Sequence, residues 1–195
     1  LGDLDGDGDL DAVIANARGA LRSEVWFNDG AGTFARAQFL MVSDARAVTL
    51  GDYDGDGDLD AFVVNGYRNQ AHRVFLNDGS GYLVDSGQSL GATNGNDAAT
   101  GDFDGDGDLD VLVASLGPNQ LWVNDGRGAF TALARSFDET DSRAVVSGDF
   151  NNDGALDALV VNGERNGGPG FVGHHTLLFN KNPAYTAAQV VLDSP

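Results

Sequence analysis

Four short segments hold most of the side chains in this sequence that could do chemistry. Of the 27 Asp residues, 18 lie in the windows 3–11, 52–60, 102–110 and 149–157. The formal net charge is -19, and without these 18 carboxylates the remaining chain is nearly neutral. Carboxylates packed this closely repel one another, so the segments predict a bound cation.

The spacing within the segments is typical of a site for a hard cation. The segments follow the pattern Asp-x-Asp-x-Asp-Gly-x-x-Asp, with Asn in place of the second Asp in the fourth, so positions one, three, five and nine offer side-chain oxygens. Gly at position six permits a sharp turn, and position seven offers its main-chain carbonyl. Calcium takes about six to eight oxygens, whereas magnesium tends to keep its waters. Zinc and copper are poor candidates because the chain has no Cys and no repeated His.

The segments therefore predict up to four calcium ions, one in each. The fourth segment supports this reading, because among its odd positions only the seventh, the predicted carbonyl donor, lacks a side-chain oxygen. An acidic turn without metal remains the alternative. An EF-hand is excluded because its twelfth position needs Glu, and an apolar residue stands there in all four segments. The predicted metal positions are Asp3, Asp5, Asp7, Asp9 and Asp11; Asp52, Asp54, Asp56, Asp58 and Asp60; Asp102, Asp104, Asp106, Asp108 and Asp110; and Asp149, Asn151, Asp153, Ala155 and Asp157.

The segments recur as part of a longer repeat. Their start points are 49, 50 and 47 residues apart, which divides the chain into units 1–44, 45–94, 95–140 and 141–195. In each complete unit a short extended run precedes the segment. An apolar run rich in β-branched residues follows it, which predicts a strand buried on both faces. A third run leads into a turn, Asn-Asp-Gly in the first three units, and a fourth run follows. The pattern predicts an all-β fold, a β-propeller of four-stranded antiparallel blades.

The repeat resembles the FG-GAP/VCBS family, which includes the calcium-binding blades of integrin α-subunits. The acidic segment, the apolar strand and the Asn-Asp-Gly-x-Gly-aromatic hairpins at 28–34 and 124–130 carry the resemblance. It implies calcium in the loop between the first and second strand of each blade. The fourth unit departs from the pattern, since Asn180-Lys181-Asn182-Pro183 replaces the hairpin.

The phase of the repeat predicts an incomplete ring. The first unit begins inside its acidic segment, so the count is 15 strands rather than 16. We expect the four units to be part of a larger ring of about seven blades, or to associate with other copies to complete one; a closed ring of four blades is the alternative.

Several other residues could contribute to a site. Trp26, Phe75, Trp122 and Leu178 stand at equivalent places in their units, which favours packing between blades over a sugar-stacking platform. His72 is interpreted as a surface residue and His174-His175 as an exposed loop pair. Arg46 and Arg143 precede their loops and are interpreted as partners of acidic neighbours.

Composition and motifs exclude several classes of function. No basic patch is visible, so nucleic acid is an unsuitable partner, and no run is long and apolar enough to span a membrane. No catalytic motif emerges, and the sequence predicts a non-enzyme. We expect an extracellular adhesion or protein-interaction scaffold, secreted or on a cell surface, with structural calcium. The alternatives are a calcium-dependent lectin that binds extracellular glycans and an accessory module of a secreted enzyme.

Overall fold

The computed structural model describes residues 1–17, 21–42, 44–66, 70–91, 94–137, 141–163, 175–180 and 188–192. These ranges contain fifteen strands and no α-helix, which confirms the all-β prediction. Consequently none of the described residues belongs to a helix that could cross a membrane.

The strands form four antiparallel sheets, and within each sheet the strands follow one another in chain order. We call these sheets blades 1 to 4. Blade 1 has three strands, and each of the others has four. The strands are β1 (Ala12–Ile14), β2 (Ser23–Asn28) and β3 (Phe34–Leu40); β4 (Ala45–Gly51), β5 (Asp60–Asn65), β6 (Arg73–Asn77) and β7 (Leu83–Asp85); β8 (Asn94–Gly101), β9 (Asp110–Leu116), β10 (Asn119–Asn124) and β11 (Phe130–Phe137); and β12 (Ser142–Gly148), β13 (Asp157–Asn162), β14 (His175–Phe179) and β15 (Ala188–Leu192).

The Asn-Asp-Gly hairpins join the last two strands of blades 1 to 3, as predicted. In blade 1 the Asp29 carboxylate accepts hydrogen bonds from the backbone N–H groups of Ala31 (2.9 Å) and Thr33 (3.0 Å). These bonds lower the pKa of Asp29. Gly30 and Gly32 adopt φ of 70° and 84°, a region that L side chains disfavour. The turn residues therefore fix the register of the outer strands.

Apolar side chains fill the spaces between consecutive blades. Residues from blades 1 and 2, blades 2 and 3, and blades 3 and 4 form three separate buried clusters. Phe75, Trp122 and Leu178 lie in these clusters and are at most 6 % exposed. The interpretation that they pack between blades is confirmed for these three residues, whereas Trp26 is half-buried and belongs to none of the three clusters.

The first strands of the blades lie beside one another. Strand β8 contacts β4 on one side and β12 on the other. The hydroxyl oxygens of Thr49 in β4 and Thr100 in β8 are 2.6 Å apart. Face-to-face sheets with neighbouring first strands are the arrangement of propeller blades. The total of about seven blades stays a prediction.

The second strand of each blade was expected to be buried on both faces, which is true only of the middle blades. All six residues of β5 are buried, whereas Ile14 in β1 is 41 % exposed. The prediction is wrong for β1 because the described residues place a neighbouring blade on one side of blade 1 only.

Two histidine interpretations are also wrong. His72 is fully buried against Phe62 and Trp122, and its Nδ1 accepts the backbone N–H of Asn65 at 3.1 Å. His175 begins strand β14, where its Nδ1 accepts the backbone N–H of Asn162 at 3.3 Å. In both blades the imidazole accepts a backbone N–H at the end of the second strand. His174 lies outside the described residues.

The interpretation of Arg143 is confirmed. Its guanidinium lies 2.7 Å from the carboxylate of Asp141, which is buried. Arg46 is exposed at the equivalent place of blade 2, and its pairing with an acidic neighbour stays a prediction.

Candidate metal centres

The acidic segments form the loops that precede the second strands of the blades. We number them loops 1 to 4. In blades 2 to 4 each loop connects the first strand to the second, and in blade 1 it starts at Gly2, which pairs with Asp11. The glycine at position six has φ between 87° and 100° in every loop, at Gly8, Gly57, Gly107 and Gly154. The predicted sharp turn is thus present four times.

The loops bring three carboxylates together at positions one, three and nine. In each of loops 1 to 3, one oxygen from each of the three residues lies within 4.8 Å of the others. Loop 4 has Asp149, Asn151 and Asp157 at these positions, so one carboxylate is replaced by an amide. The three carboxylate groups are Asp3, Asp5 and Asp11; Asp52, Asp54 and Asp60; and Asp102, Asp104 and Asp110.

The carboxylate at position nine joins its loop to the hairpin of the same blade. In blade 2, Asp60 accepts the backbone N–H of Tyr53 through Oδ2 and that of Asn77 through Oδ1, both at 2.8 Å. Asp11, Asp110 and Asp157 accept the two equivalent N–H groups at 2.8–3.0 Å. All four residues are fully buried. Position nine therefore has a structural role that the sequence pattern alone did not reveal.

The carboxylate at position one folds the loop around itself. Asp52 accepts the backbone N–H of Gly55 at 2.8 Å and that of Gly57 at 3.0 Å. Asp3 and Asp102 make the same two bonds, and Asp149 accepts the backbone N–H groups of Asp153 and Gly154. These bonds hold the loop in the shape that gathers positions one, three and nine.

The side chains at position five lie outside the three-carboxylate groups. Asp7, Asp56, Asp106 and Asp153 each accept the backbone N–H of the residue two positions later, at 2.9–3.0 Å. Such turns stabilise the loop without a metal. The assignment of position five as a ligand stays a prediction.

The side chains at position seven lie against the hairpin of their own blade. A Cβ added to Gly30 would be 2.3 Å from Oδ2 of Asp9, and one added to Gly126 would be 2.5 Å from Oδ2 of Asp108. The position was predicted to act through its main chain alone. In fact its carboxylate occupies the space that a hairpin side chain would need. In unit four both members of this pair change, to Ala155 and Asn182, although Asn182 lies outside the described residues.

The comparisons with known proteins agree with this geometry. A family model described as an FG-GAP-like repeat matches residues 3–63, 52–113 and 102–160, which together span more than half of the chain. The chain belongs to the FG-GAP-like repeat family. Each match begins at the first Asp of one loop and ends in the strand that follows the next loop. A search among curated proteins found no match.

The FG-GAP-like loops carry negative charge that no described basic side chain neutralises. The three ion pairs within the described ranges, which involve Arg36, Arg73 and Arg143, all lie outside the loops. Desolvation raises the pKa of Asp60 and of Asp110 to about 6. Desolvation, and then the charge of the carboxylate at position five, raises the pKa of the third-position residues Asp5, Asp54 and Asp104. A cation among these carboxylates would offset the cost of their desolvation and the repulsion between their charges.

One oxygen in loop 2 tests whether the residues fit a metal ion. Oδ1 of Asp54 is buried and has no hydrogen-bond partner among the described residues. A buried carboxylate oxygen without a partner is costly, and a bound cation removes that cost. Asp54 belongs to the three-carboxylate group of loop 2, whose all-oxygen chemistry suits calcium. The residues present therefore fit the ion that the FG-GAP-like repeat implies.

FG-GAP-like loops 1 to 3 are each also held by the following blade. The side-chain amide of Asn77 in blade 2 donates to the carbonyl oxygen of Leu4 in loop 1 at 2.8 Å. Asn124 donates likewise to Tyr53 in loop 2 at 2.8 Å, and Asn180 to Phe103 in loop 3 at 2.7 Å. The backbone N–H of each of these Asn residues donates to the ninth carboxylate of its own loop. Hydrogen bonds thus connect consecutive loops in series.

Proposed function

We propose that this chain is a calcium-stabilised β-propeller module that acts outside the cell as an adhesion or protein-interaction scaffold. The observation that carries the proposal is the group of Asp52, Asp54 and Asp60, which includes a buried oxygen without a protein partner. The same arrangement of carboxylates recurs in loops 1 and 3. Repetition favours a structural role, because an enzyme needs one distinctive site rather than several equivalent ones.

The loop residues themselves explain what calcium would contribute. Positions one and nine already connect the loop to its own backbone and to the hairpin. A calcium ion held by positions one, three and nine would neutralise the negative charge of these carboxylates. Any ion that binds only the folded state stabilises it, by about 2.7 kcal/mol per site at a concentration of 100 times the dissociation constant.

The extracellular assignment rests on the family and on calcium availability. FG-GAP-like repeats are typical of extracellular proteins, where calcium is abundant enough to fill sites of moderate affinity. The proposal includes no catalytic step. It places partner binding on loops that a calcium-stabilised framework holds in position.

The lectin alternative stays open. Phe75 and Trp122, at 2 % and 6 % exposed, are not available for glycan stacking, but Phe34, Phe39, Tyr82 and Phe150 are each at least 43 % exposed. The partner class can be tested by passing labelled chain over arrays of extracellular proteins and of glycans, with calcium and with chelator. Saturable, calcium-dependent protein binding supports the proposal. Binding to glycans alone would replace it with the lectin function.

A further inference from the structure

A buried asparagine joins each pair of consecutive loops. Asn77, Asn124 and Asn180 stand at or directly after the end of the third strand of blades 2, 3 and 4, and all are at most 5 % exposed. Each side-chain amide donates to the position-two carbonyl oxygen of the preceding loop, at 2.7–2.8 Å. The amides of Asn77 and Asn124 also donate to the position-eight carbonyl oxygens of their own loops, Leu59 and Leu109, both at 3.2 Å. One side chain thus bonds two loops at once.

Two residues connect a carboxylate of loop 2 to a carboxylate of loop 3. Oδ2 of Asp60 accepts the backbone N–H of Tyr53 at 2.8 Å, and the carbonyl oxygen of Tyr53 accepts the side-chain amide of Asn124 at 2.8 Å. The backbone N–H of Asn124 donates in turn to Oδ1 of Asp110 at 2.9 Å. Asp60 and Asp110 both belong to the three-carboxylate groups of their loops. We call Tyr53 and Asn124 the bridge between loops 2 and 3.

Equivalent bridges exist at the other two internal interfaces. In Asp60 and in Asp110, one carboxylate oxygen belongs to the bridge with the preceding loop and the other to the bridge with the following loop. The hydrogen bonds therefore run without a break from Asp11 in loop 1 to Asp157 in loop 4, and each is 2.7–3.0 Å long. The two further bridges are Leu4 with Asn77, between loops 1 and 2, and Phe103 with Asn180, between loops 3 and 4.

The bridge between loops 2 and 3 lies where water is excluded. Both of its residues and both of its carboxylates are at most 3 % exposed. Blade 3 holds Tyr53 at two further points: the backbone N–H of Gly128 donates to its carbonyl oxygen at 2.8 Å, and Oγ1 of Thr100 lies 2.9 Å from its hydroxyl oxygen. An unpaired polar group is costly in such surroundings. A displacement of one loop is therefore costly unless the other loop moves with it.

The bridge gives calcium in one loop a means of acting on the next loop. The carboxylates of an empty loop repel one another, whereas an ion would fix them in place. With Asp110 fixed by an ion, the backbone N–H and the amide of Asn124 would be fixed as well, and with them Tyr53 and the carboxylate of Asp60. Loop 2 would then lose less conformational freedom on binding its own ion. A ligand that meets an already ordered site binds more tightly, even without new contacts.

We propose that Asn77, Asn124 and Asn180 are positioning residues that make calcium binding cooperative between consecutive loops. The proposal rests on the calcium sites of the proposed function and adds their regulation. Filling one loop raises the calcium affinity of a bridged neighbour at least about fivefold, the lower end of the usual range of coupling between two sites. The loops then fill over a narrower range of calcium concentration than independent sites would, and the blades become ordered together.

The test follows each loop separately by NMR in calcium–chelator buffers. The backbone N–H of Gly57 donates to Asp52 in loop 2 and that of Gly107 to Asp102 in loop 3, so each glycine amide reports the filling of one loop. Asp104→Ala, which impairs loop 3, should lower the calcium affinity of loop 2 at least about fivefold while the Gly107 amide shows loop 3 empty. An empty Asp104→Ala loop carries one negative charge more than a calcium-filled wild-type loop, so electrostatics alone would raise the affinity of loop 2.

A second change assigns the coupling to the asparagine. Oδ1 of Asn124 has no described partner, so Asn124→Ala removes only the donor bonds of the side chain. In the Asn124→Ala chain, Asp104→Ala should alter the affinity of loop 2 by about twofold or less. Asn28→Ala is the matched control, because the Asn28 amide donates at 3.3 Å to Leu10 of its own loop and the coupling of loops 2 and 3 should stay complete. A fivefold effect that survives Asn124→Ala overturns the proposal.

A further measurement covers the case in which Asn124→Ala fails to fold. Coupling between two sites is reciprocal, so Asp54→Ala in loop 2 should lower the affinity of loop 3 by the same factor as Asp104→Ala lowers that of loop 2. Loops that bind calcium with affinities independent of each other overturn the coupling and leave the proposed function intact. Gly57 and Gly107 amides that do not respond to calcium at all contradict the calcium sites of the proposed function, and the coupling with them.

Discussion

Loops 2 and 3 differ from loop 4 at only some of their positions. Loops 2 and 3 have Asp at every odd position, whereas loop 4 has Asn151 at position three and Ala155 at position seven. Positions one and nine remain Asp in all four loops. The following blade donates hydrogen bonds to loops 2 and 3, while no described residue covers Phe150 in loop 4 in this way.

The difference separates two roles of aspartate that look alike in the sequence. Positions one and nine accept backbone hydrogen bonds that shape the loop, and these bonds are needed with or without a metal. Position three adds negative charge at the point where the carboxylates meet. Loop 4 keeps the aspartates that shape the loop but has one carboxylate fewer at the point where they meet. It should therefore fold in the same way but bind calcium more weakly.

The largest expected effect separates these roles within loop 3. Asp110→Ala removes the acceptor of the N–H groups of Phe103 (3.0 Å) and Asn124 (2.9 Å), so it should lower the free energy of unfolding by about 3 kcal/mol even in chelator. In chelator, Asp104→Ala should change the free energy of unfolding by no more than about 0.5 kcal/mol. A larger loss of stability should appear only when calcium is present. Urea unfolding of both variants, with calcium and with chelator, measures this. Equal losses in chelator would mean that positions three and nine do not differ in role.

The second largest effect concerns position three, where substitutions exchange the residue types of loops 2 and 4. Asp54→Asn should weaken one calcium site about tenfold, and Asn151→Asp should strengthen the weakest site by a similar factor, because calcium affinity depends on the number of charged ligands. Competition with a chromophoric chelator gives the affinities. Asp78→Asn in the blade 2 hairpin is the control and should change neither site. Unchanged affinities in both loop variants would remove position three from the ligand set.

A smaller effect concerns the contact between position seven and the hairpin. Gly126 has φ of 70°, and its added Cβ would lie 2.5 Å from Asp108. Gly126→Ala should cost about 1–2 kcal/mol of stability, and Asp108→Ala in the same chain should recover the part due to the clash. Gly32→Ala measures the backbone cost alone, since a Cβ there meets nothing within 4 Å at φ of 84°. A double-mutant cycle with zero coupling would contradict the proposed contact.

The smallest effect is a pH dependence of the chelated protein. Burial holds the folded-state pKa of Asp60 and Asp110 at about 6, above the ordinary 3.8. The folded state therefore takes up these two protons first, and stability should rise as pH falls from about 6.5 to about 4. Over the same range His72, whose pKa burial lowers from 6.5 to about 4, offsets part of the gain because the unfolded state takes up its proton first. Thermal melts should show the rise in chelator and lose it in saturating calcium. A fall in stability over the same range in chelator would contradict the burial of these carboxylates.

The sequence predicted the strands and loops because local chemistry fixes both. Asp-Gly turns, alternating loop carboxylates and short β-branched runs determine conformation over a few residues, and the structure places strands at these runs. The strand pairing confirms the hairpin at Asn124, where Asn124 faces Phe130 across the turn.

Other features depend on contacts that no local pattern reveals. The Asn124–Tyr53 and Asn77–Leu4 bonds join residues more than 70 positions apart. The burial of His72 depends on Trp122 of the next blade. The structural role of Asp110 could not be predicted, because the residue type is the same whether an aspartate accepts two backbone N–H bonds or binds a metal ion. Only the co-occurrence of Ala155 with Asn182 could have indicated the contact between position seven and the hairpin.

Calcium stoichiometry tests the central claim most directly. The chain is stripped with chelator, dialysed against micromolar calcium and against millimolar calcium, and analysed by native mass spectrometry beside the Asp54→Asn variant. The account predicts at least three calcium ions per chain, with the loop 4 site filling last and one tight site weakened in the variant. A folded chain that binds no calcium at either concentration would contradict it and leave the loops as acidic turns held by their own hydrogen bonds.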